Sequence, residues 1–102
     1  MNKLPTKQKA IAELAERFQR NGYIRRQNTE HLKQVGYMLY KKGFEIRLIA
    51  HSVNELHHIQ FLLQVLDFTI SKPFSVANHF RQPIYGREQV TRFLSLIGYP
   101  DL

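Results

Sequence analysis

The stretch Phe44-Glu45-Ile46-Arg47-Leu48-Ile49-Ala50-His51-Ser52-Val53-Asn54-Glu55 carries two hydrophobic periods, one on each side of a single start signal. Up to His51, the residues Phe44, Ile46, Leu48 and Ala50 recur at every second position, with Glu45, Arg47 and His51 opposite, as in a strand with one apolar face. Ser52-Val53-Asn54-Glu55 then has the form of a capping box. Here the Ser52 hydroxyl accepts from a first-turn amide and Glu55 reaches back to the Ser52 amide. Val53, Leu56, Ile59, Leu62, Leu63 and Leu66 follow at spacings of three and four, a helix with one apolar stripe. A strand that runs straight into such a helix must pack against it.

Upstream, Pro5 and Thr6 open a helical pattern with Ile11, Leu14, Ala15 and Phe18 on one side, and Asn21-Gly22 stops it. Tyr23-Ile24-Arg25-Arg26 reads as a short strand or extended link. Asn28 or Thr29 then caps a helix carrying Leu32, Val35, Met38 and Leu39, ended by Lys41, Lys42 and Gly43. Downstream, Phe68-Thr69-Ile70-Ser71-Lys72 alternates again and stops at Pro73, while His79 to Tyr85 alternates with Pro83 marking an edge strand or a bulge. Gly86 precedes a last helix whose buried stripe is Val90, Phe93, Leu94 and Ile97, terminated by Gly98. The expected fold is α+β, with a small antiparallel or mixed sheet of three to four strands and helices packed on one face. No repeat or linker interrupts it, so residues 1–102 are expected to form one domain.

Composition narrows the function classes. No apolar run approaches the roughly 20 residues that cross a bilayer, and Met1 to Arg20 is charged throughout, so neither a membrane span nor a secretory leader is expected. With no cysteine there is no disulfide, thiolate nucleophile or sulfur-built zinc site, and a cytoplasmic setting is expected. The net charge of +7 is unevenly placed: residues 1–51 hold eleven Lys and Arg against four acids, whereas residues 52–102 hold four of each. Clustered positive charge releases counterions from nucleic acid on contact, so the asymmetry points to a polyanionic partner.

Little in the sequence carries chemistry. The histidines His31, His51, His57, His58 and His79 show no zinc-helix spacing, and no cofactor is expected. Ser52 and Glu55 are explained as a cap, no carboxylate pair stands out as acid and base, and the five glycines form no phosphate loop. Lys41 and Lys42, in a last helical turn, also suit the helix dipole without a ligand. The suggestive set is the polar side of the sheet. If Phe44, Ile46, Leu48, Ile70, Phe80 and Ile84 face the helices, then Arg47, His51, Thr69, Ser71, His79, Arg81 and Tyr85 point away, with Arg25 beside them. Arginines among neutral polar groups on an exposed sheet face suit phosphates and base edges.

In this order of elements the chain resembles one half of a LAGLIDADG homing endonuclease with a helix inserted. That family has a helix ending in an acidic-Gly signature, two strands, a helix, two strands and a closing helix. Leu14-Ala15-Glu16-Arg17-Phe18-Gln19-Arg20-Asn21-Gly22-Tyr23-Ile24 lies where the signature would be, and Arg92-Phe93-Leu94-Ser95-Leu96-Ile97-Gly98-Tyr99 is similar to the closing helix. The family's metal-binding acid would fall at Asn21, which is neutral, and Glu16 and Arg17 replace the small and apolar residues that pack paired signature helices. The resemblance therefore implies DNA binding without nuclease chemistry, by a half that pairs with a second copy. The sequence reading is a non-catalytic nucleic-acid-binding domain, DNA favoured and homodimeric. Its binding residues are Arg25, Arg26, Arg47, Arg81 and Tyr85, supported by Lys33, Lys41 and Lys42. The alternative is an adaptor or inhibitor that docks its basic half on an acidic protein.

Overall fold

The computed structural model describes residues 6–25 and 45–99. In chain order these form helix α1 (Lys7–Arg20), strand β1 (Tyr23–Arg25), strand β2 (Glu45–Ala50), helix α2 (Val53–Val65), strand β3 (Phe74–Val76), strand β4 (His79–Tyr85) and helix α3 (Arg87–Leu96). The fold is α+β. Its four-stranded sheet has the order β1-β2-β4-β3 and is antiparallel throughout. The helix expected over residues 29–42, and with it Phe44, lies outside the described residues.

The strand–helix unit forms as its periods require. In β2, Ile46, Leu48 and Ala50 are buried while Glu45, Arg47 and Ile49 are not. Opposite them on β4 stand Ile84, Gln82 and Phe80 respectively. The Ser52 hydroxyl accepts from the Glu55 amide at 3.0 Å. The reciprocal bond differs from the expected one: the Glu55 carboxylate accepts from the His51 amide, at 2.6 Å, one residue before the cap. Along α2, Leu56, Ile59, Leu62, Leu63 and Leu66 are buried as the stripe predicts, but Val53, in the first turn, is half exposed.

Helix α1 starts at Thr6, whose hydroxyl accepts from the Lys9 amide at 3.1 Å, and buries Ala10, Leu14 and Phe18. Gly22 follows because a Cβ there would come within 2.7 Å of Phe18 Cδ1 and 2.8 Å of its Cα. Polar contacts tie α1 to α2. The Glu13 carboxylate meets His58 Nε2 at 2.6 Å and Arg17 at 3.2 Å, and Arg17 reaches on to Glu55 at 2.5 Å. The His51 amide and the Arg17 guanidinium hold the Glu55 carboxyl below its ordinary value of 4.5, although burial opposes them. A carboxyl depressed in the folded state stabilises it above that ordinary value, and the contribution is lost as pH falls through the lowered one. Urea midpoints are therefore expected to drop on acidification below 4.5, and to drop less in Glu55→Gln, which starts less stable at neutral pH.

Two strand expectations are corrected. Residues 68–72 are not a strand; the strand is β3, after Pro73. Helix α2 ends in a left-handed residue, Asp67 (φ 63°), with the Phe68 amide donating to the Leu63 carbonyl at 2.9 Å and the Asp67 amide to Gln64 at 3.0 Å. Phe68 is thus the apolar partner that seals a helix end. The backbone beyond it is satisfied by side chains instead of a ladder: the Thr69 amide donates to Gln89, and Gln82 Nε2 donates to the Ser71 carbonyl at 2.8 Å. Strand β4, in turn, is internal rather than an edge. Pro83 is tolerated there because β3 pairs only with His79 to Arg81, so among the described residues one side of β4 has no strand partner at Pro83 and does not need the missing N–H.

The core lies between the sheet and the helices. Phe93 is 1% exposed and meets Phe18 and Phe68 edge-on, each with ring centroids 5.9 Å apart. Helix α3 closes at Gly98 (φ 76°), where the Tyr99 amide donates to the Leu94 carbonyl at 2.9 Å. No helix among the described residues is long and apolar enough to cross a membrane.

Candidate nucleic-acid interface

Alternation and register place a defined set of side chains on the sheet face turned away from the helices. Tyr23 and Arg25 of β1 stand opposite Arg47 and Glu45 of β2, and Glu45, Arg47 and Ile49 stand opposite Tyr85, Pro83 and Arg81 of β4. Phe74 and Val76 of β3 complete the row, opposite Arg81 and His79. Among the described residues three arginines, the rings of Tyr23, Phe74 and Tyr85, and one carboxylate therefore share this face. It is most open at its rim, where the Arg25 side chain is 59% exposed and Tyr85 47%, and more closed at its centre, where the Arg47 side chain is 19% exposed.

The centre is an ordered cluster. Arg47 donates from Nε to Glu45 at 2.8 Å and from Nη1 to the Tyr23 phenol at 3.4 Å, and its guanidinium lies 4.9 Å from the centroid of the Phe74 ring. Arg81 donates from Nε to the same phenol oxygen at 3.3 Å, while Arg25 reaches Glu45 at 3.4 Å. Burial opposes ionisation of Tyr23, but the hydrogen bonds and charges of Arg47 and Arg81 outweigh it and hold the phenol below its ordinary value of 10.0. Burial likewise works against the charge of Arg47, and its bonds to Tyr23 and Glu45 prevail and raise its pKa. The Arg81 Nη1 atom is buried with no hydrogen-bond partner among the described residues.

No protein-family model, curated protein or solved structure matches the chain. What the site can do must come from its own geometry.

Of the residues singled out from the sequence, the sheet brings together Arg25, Arg47, Arg81 and Tyr85 on one face. His79 lies on it too, and its ring meets His51 edge-on with centroids 4.5 Å apart. Thr69 and Ser71 are not part of it, since their segment is not a strand. Arg26, Lys33, Lys41 and Lys42 lie outside the described residues. Sequence reasoning missed Tyr23 and Phe74 as members, and placed Glu45 on the polar side of its strand without counting it in the site. The i, i+2 spacing of Tyr23 and Arg25 carried the first, and Glu45 shares its period with Arg47. Phe74 had no signal once the strand was placed before Pro73.

Other parts of the molecule offer less. A cleft of about 550 Å³ between the end of α1, β1 and the end of α3 is lined by Phe18, Tyr23, Ile24, Ile97 and Tyr99 among others, with no charged side chain among the described residues. The described residues contain no group of three metal-ligating side chains. The outward side of α1 is charged, with Glu16 73% and Arg20 60% exposed and paired at 3.6 Å.

Proposed function

We propose that the protein binds nucleic acid, with duplex DNA favoured, through the sheet face turned from its helices. The observation that carries this reading is the convergence of Arg25, Arg47 and Arg81 with Tyr23, Phe74 and Tyr85 on that face, against one carboxylate, Glu45, among the described residues. Guanidinium groups match phosphate oxygens and guanine edges in a fork, and the aromatic rings add flat surface. The charge surplus of residues 1–51, to which Arg26, Lys33, Lys41 and Lys42 contribute, supplies the long-range attraction.

Among the described elements, the order helix, two strands, helix, two strands, helix is compatible with the likeness to a LAGLIDADG half, in which the sheet is the DNA-binding surface. With Asn21 in place of the metal-binding acid, we read the domain as a binder and not a nuclease. Two copies would suit a palindromic site. Pairing through α1 would bury Glu16 and Arg20, so a pair is expected to use another surface or to form on the DNA.

The test is binding to mixed-sequence duplex DNA, single-stranded DNA, RNA and polyglutamate across a salt series, for the wild type and Arg47→Ala/Arg81→Ala. Tight duplex binding is expected, with the double variant lowering the slope of log affinity against log salt by about 2, roughly one for each phosphate that the protein no longer neutralises. Equal slopes in a folded variant, or affinity for polyglutamate matching that for DNA, would sink the reading and favour an acidic protein partner.

A further inference from the structure

Within the sheet face, one small arrangement is incomplete as it stands. Two guanidinium groups converge on a single neutral oxygen, the Tyr23 phenol, from Arg47 at 3.4 Å and Arg81 at 3.3 Å. The Arg47 charge is answered by Glu45 at 2.8 Å. Arg81 has no ion pair among the described residues, and its Nη1 is buried without a partner there. A buried guanidinium nitrogen left unpaired is costly, and like charges brought together are costlier without an anion between them. Such a nitrogen calls for a partner from outside the chain, a water or an anion.

We propose that Arg81, Arg47 and Tyr23 form a subsite for one phosphodiester group of a nucleic-acid strand, with Arg81 the principal donor and Tyr23 a positioning residue. This rests on the reading of the sheet face as a nucleic-acid interface, and it names the group that the centre of the face takes. A phosphodiester carries one negative charge on two unbridged oxygens. That matches one uncompensated guanidinium plus the second donor that Arg47 directs at the same spot. Because Nη1 lies inside the surface, the anion draws it out by rotation of the guanidinium, while the phenol keeps hold of Nε and sets the angle. Arg47 cannot swing away in the meantime, since Glu45 and the Phe74 ring fix its plane. A nucleic-acid phosphate suits the place better than a protein carboxylate because Tyr85, half exposed on the same face, offers a ring on which a neighbouring base can stack.

The subsite makes a prediction with a sign. An anion beside the two arginines cancels the positive field that favours the Tyr23 phenolate, so binding raises the Tyr23 pKa. By reciprocity, affinity falls as pH rises through that titration. The experiment follows the side-chain Nε–H resonances of the arginines by NMR, assigned with Arg47→Lys and Arg81→Lys. In parallel, the ultraviolet phenolate titration of the wild type minus Tyr23→Phe is recorded. Both are measured with and without a short oligodeoxynucleotide, and again with inorganic phosphate.

The expected result is a saturable shift of the Arg81 resonance and an upward move of the Tyr23 titration with the oligonucleotide. Arg81→Ala should weaken binding about tenfold, and Arg81→Lys should not restore it. If the oligonucleotide binds while both signals stay still, the subsite is wrong and the wider interface survives. No oligonucleotide binding at all overturns both, and shifts with inorganic phosphate alone reduce the cluster to an anion site unconnected with nucleic acid. The Arg81 resonance decides the matter even if Tyr23→Phe fails to fold.

Discussion

Phe93→Ala is expected to remove about 3–5 kcal/mol of stability, a large share of the roughly 5–15 kcal/mol that holds a domain of this size together. The side chain is 1% exposed, so its loss leaves a cavity and not a surface notch. Two separate parts of the chain close on it: Phe18 of α1 and Phe68 after α2 each meet its ring edge-on at 5.9 Å, and Phe18 in turn meets Tyr99 at 5.8 Å. Edge-on aromatic contacts add to simple burial, and an alanine forfeits both. The melting temperature should fall by ~12 °C or more. Phe93→Leu, which keeps most of the volume, should cost clearly less. If the two variants melt together, the volume that leucine restores contributes nothing and the cost lies in the lost ring contacts.

The elements most legible in the sequence are those whose period and end signals agree. Helix α2 has a serine at its start and an unbroken stripe, and helix α3 ends at a glycine that takes the left-handed conformation; both are readable from residue type alone. Strand β2 shows its faces through strict alternation, which is why Arg47 can be placed away from the core. The segment after α2 misleads for a definite reason. Its helix ends at Asp67, which adopts the left-handed conformation without being glycine, so Phe68 reads as the first residue of a strand when it is the last contact of a helix. That displaces the expected strand by one proline and hides Phe74 from the candidate site.

Pairing across strands is the second thing the sequence does not show. Arg25, Arg47 and Arg81 come from three strands, and nothing in their spacing says that two of them share one phenol. The register does, because Tyr23 stands opposite Arg47 on one side of β2 while Ile49, two residues on, stands opposite Arg81 on the other. A general basic face thereby resolves into an exposed rim, formed by Arg25 and Tyr85, and an ordered centre.

Gln82→Leu is expected to cost about 2–4 kcal/mol although it nearly conserves volume. Gln82 is fully buried on the helix side of β4, opposite Leu48, where alternation calls for an apolar residue. Its amide holds three partners: it accepts from Gln60 Nε2 at 2.8 Å and donates to the Ser71 carbonyl at 2.8 Å and the Pro83 carbonyl at 3.2 Å. A leucine satisfies none of them, and the two carbonyls lose the partner that Gln82 supplies. The Ser71 bond is also what holds residues 68–73 against the sheet in place of a strand ladder, and that segment delivers Phe74 to the face on which Arg47 rests. The loss should therefore be local as well as global. Urea unfolding should show the reduced stability, and amide exchange at Phe74 to Val76 should quicken more than at Ile46 to Leu48. Leu48→Met, a near-isosteric change next to the same site, should cost less than about 1.5 kcal/mol and leave β3 protected. If both variants loosen β3 equally, what holds that strand is core packing and not the buried amide.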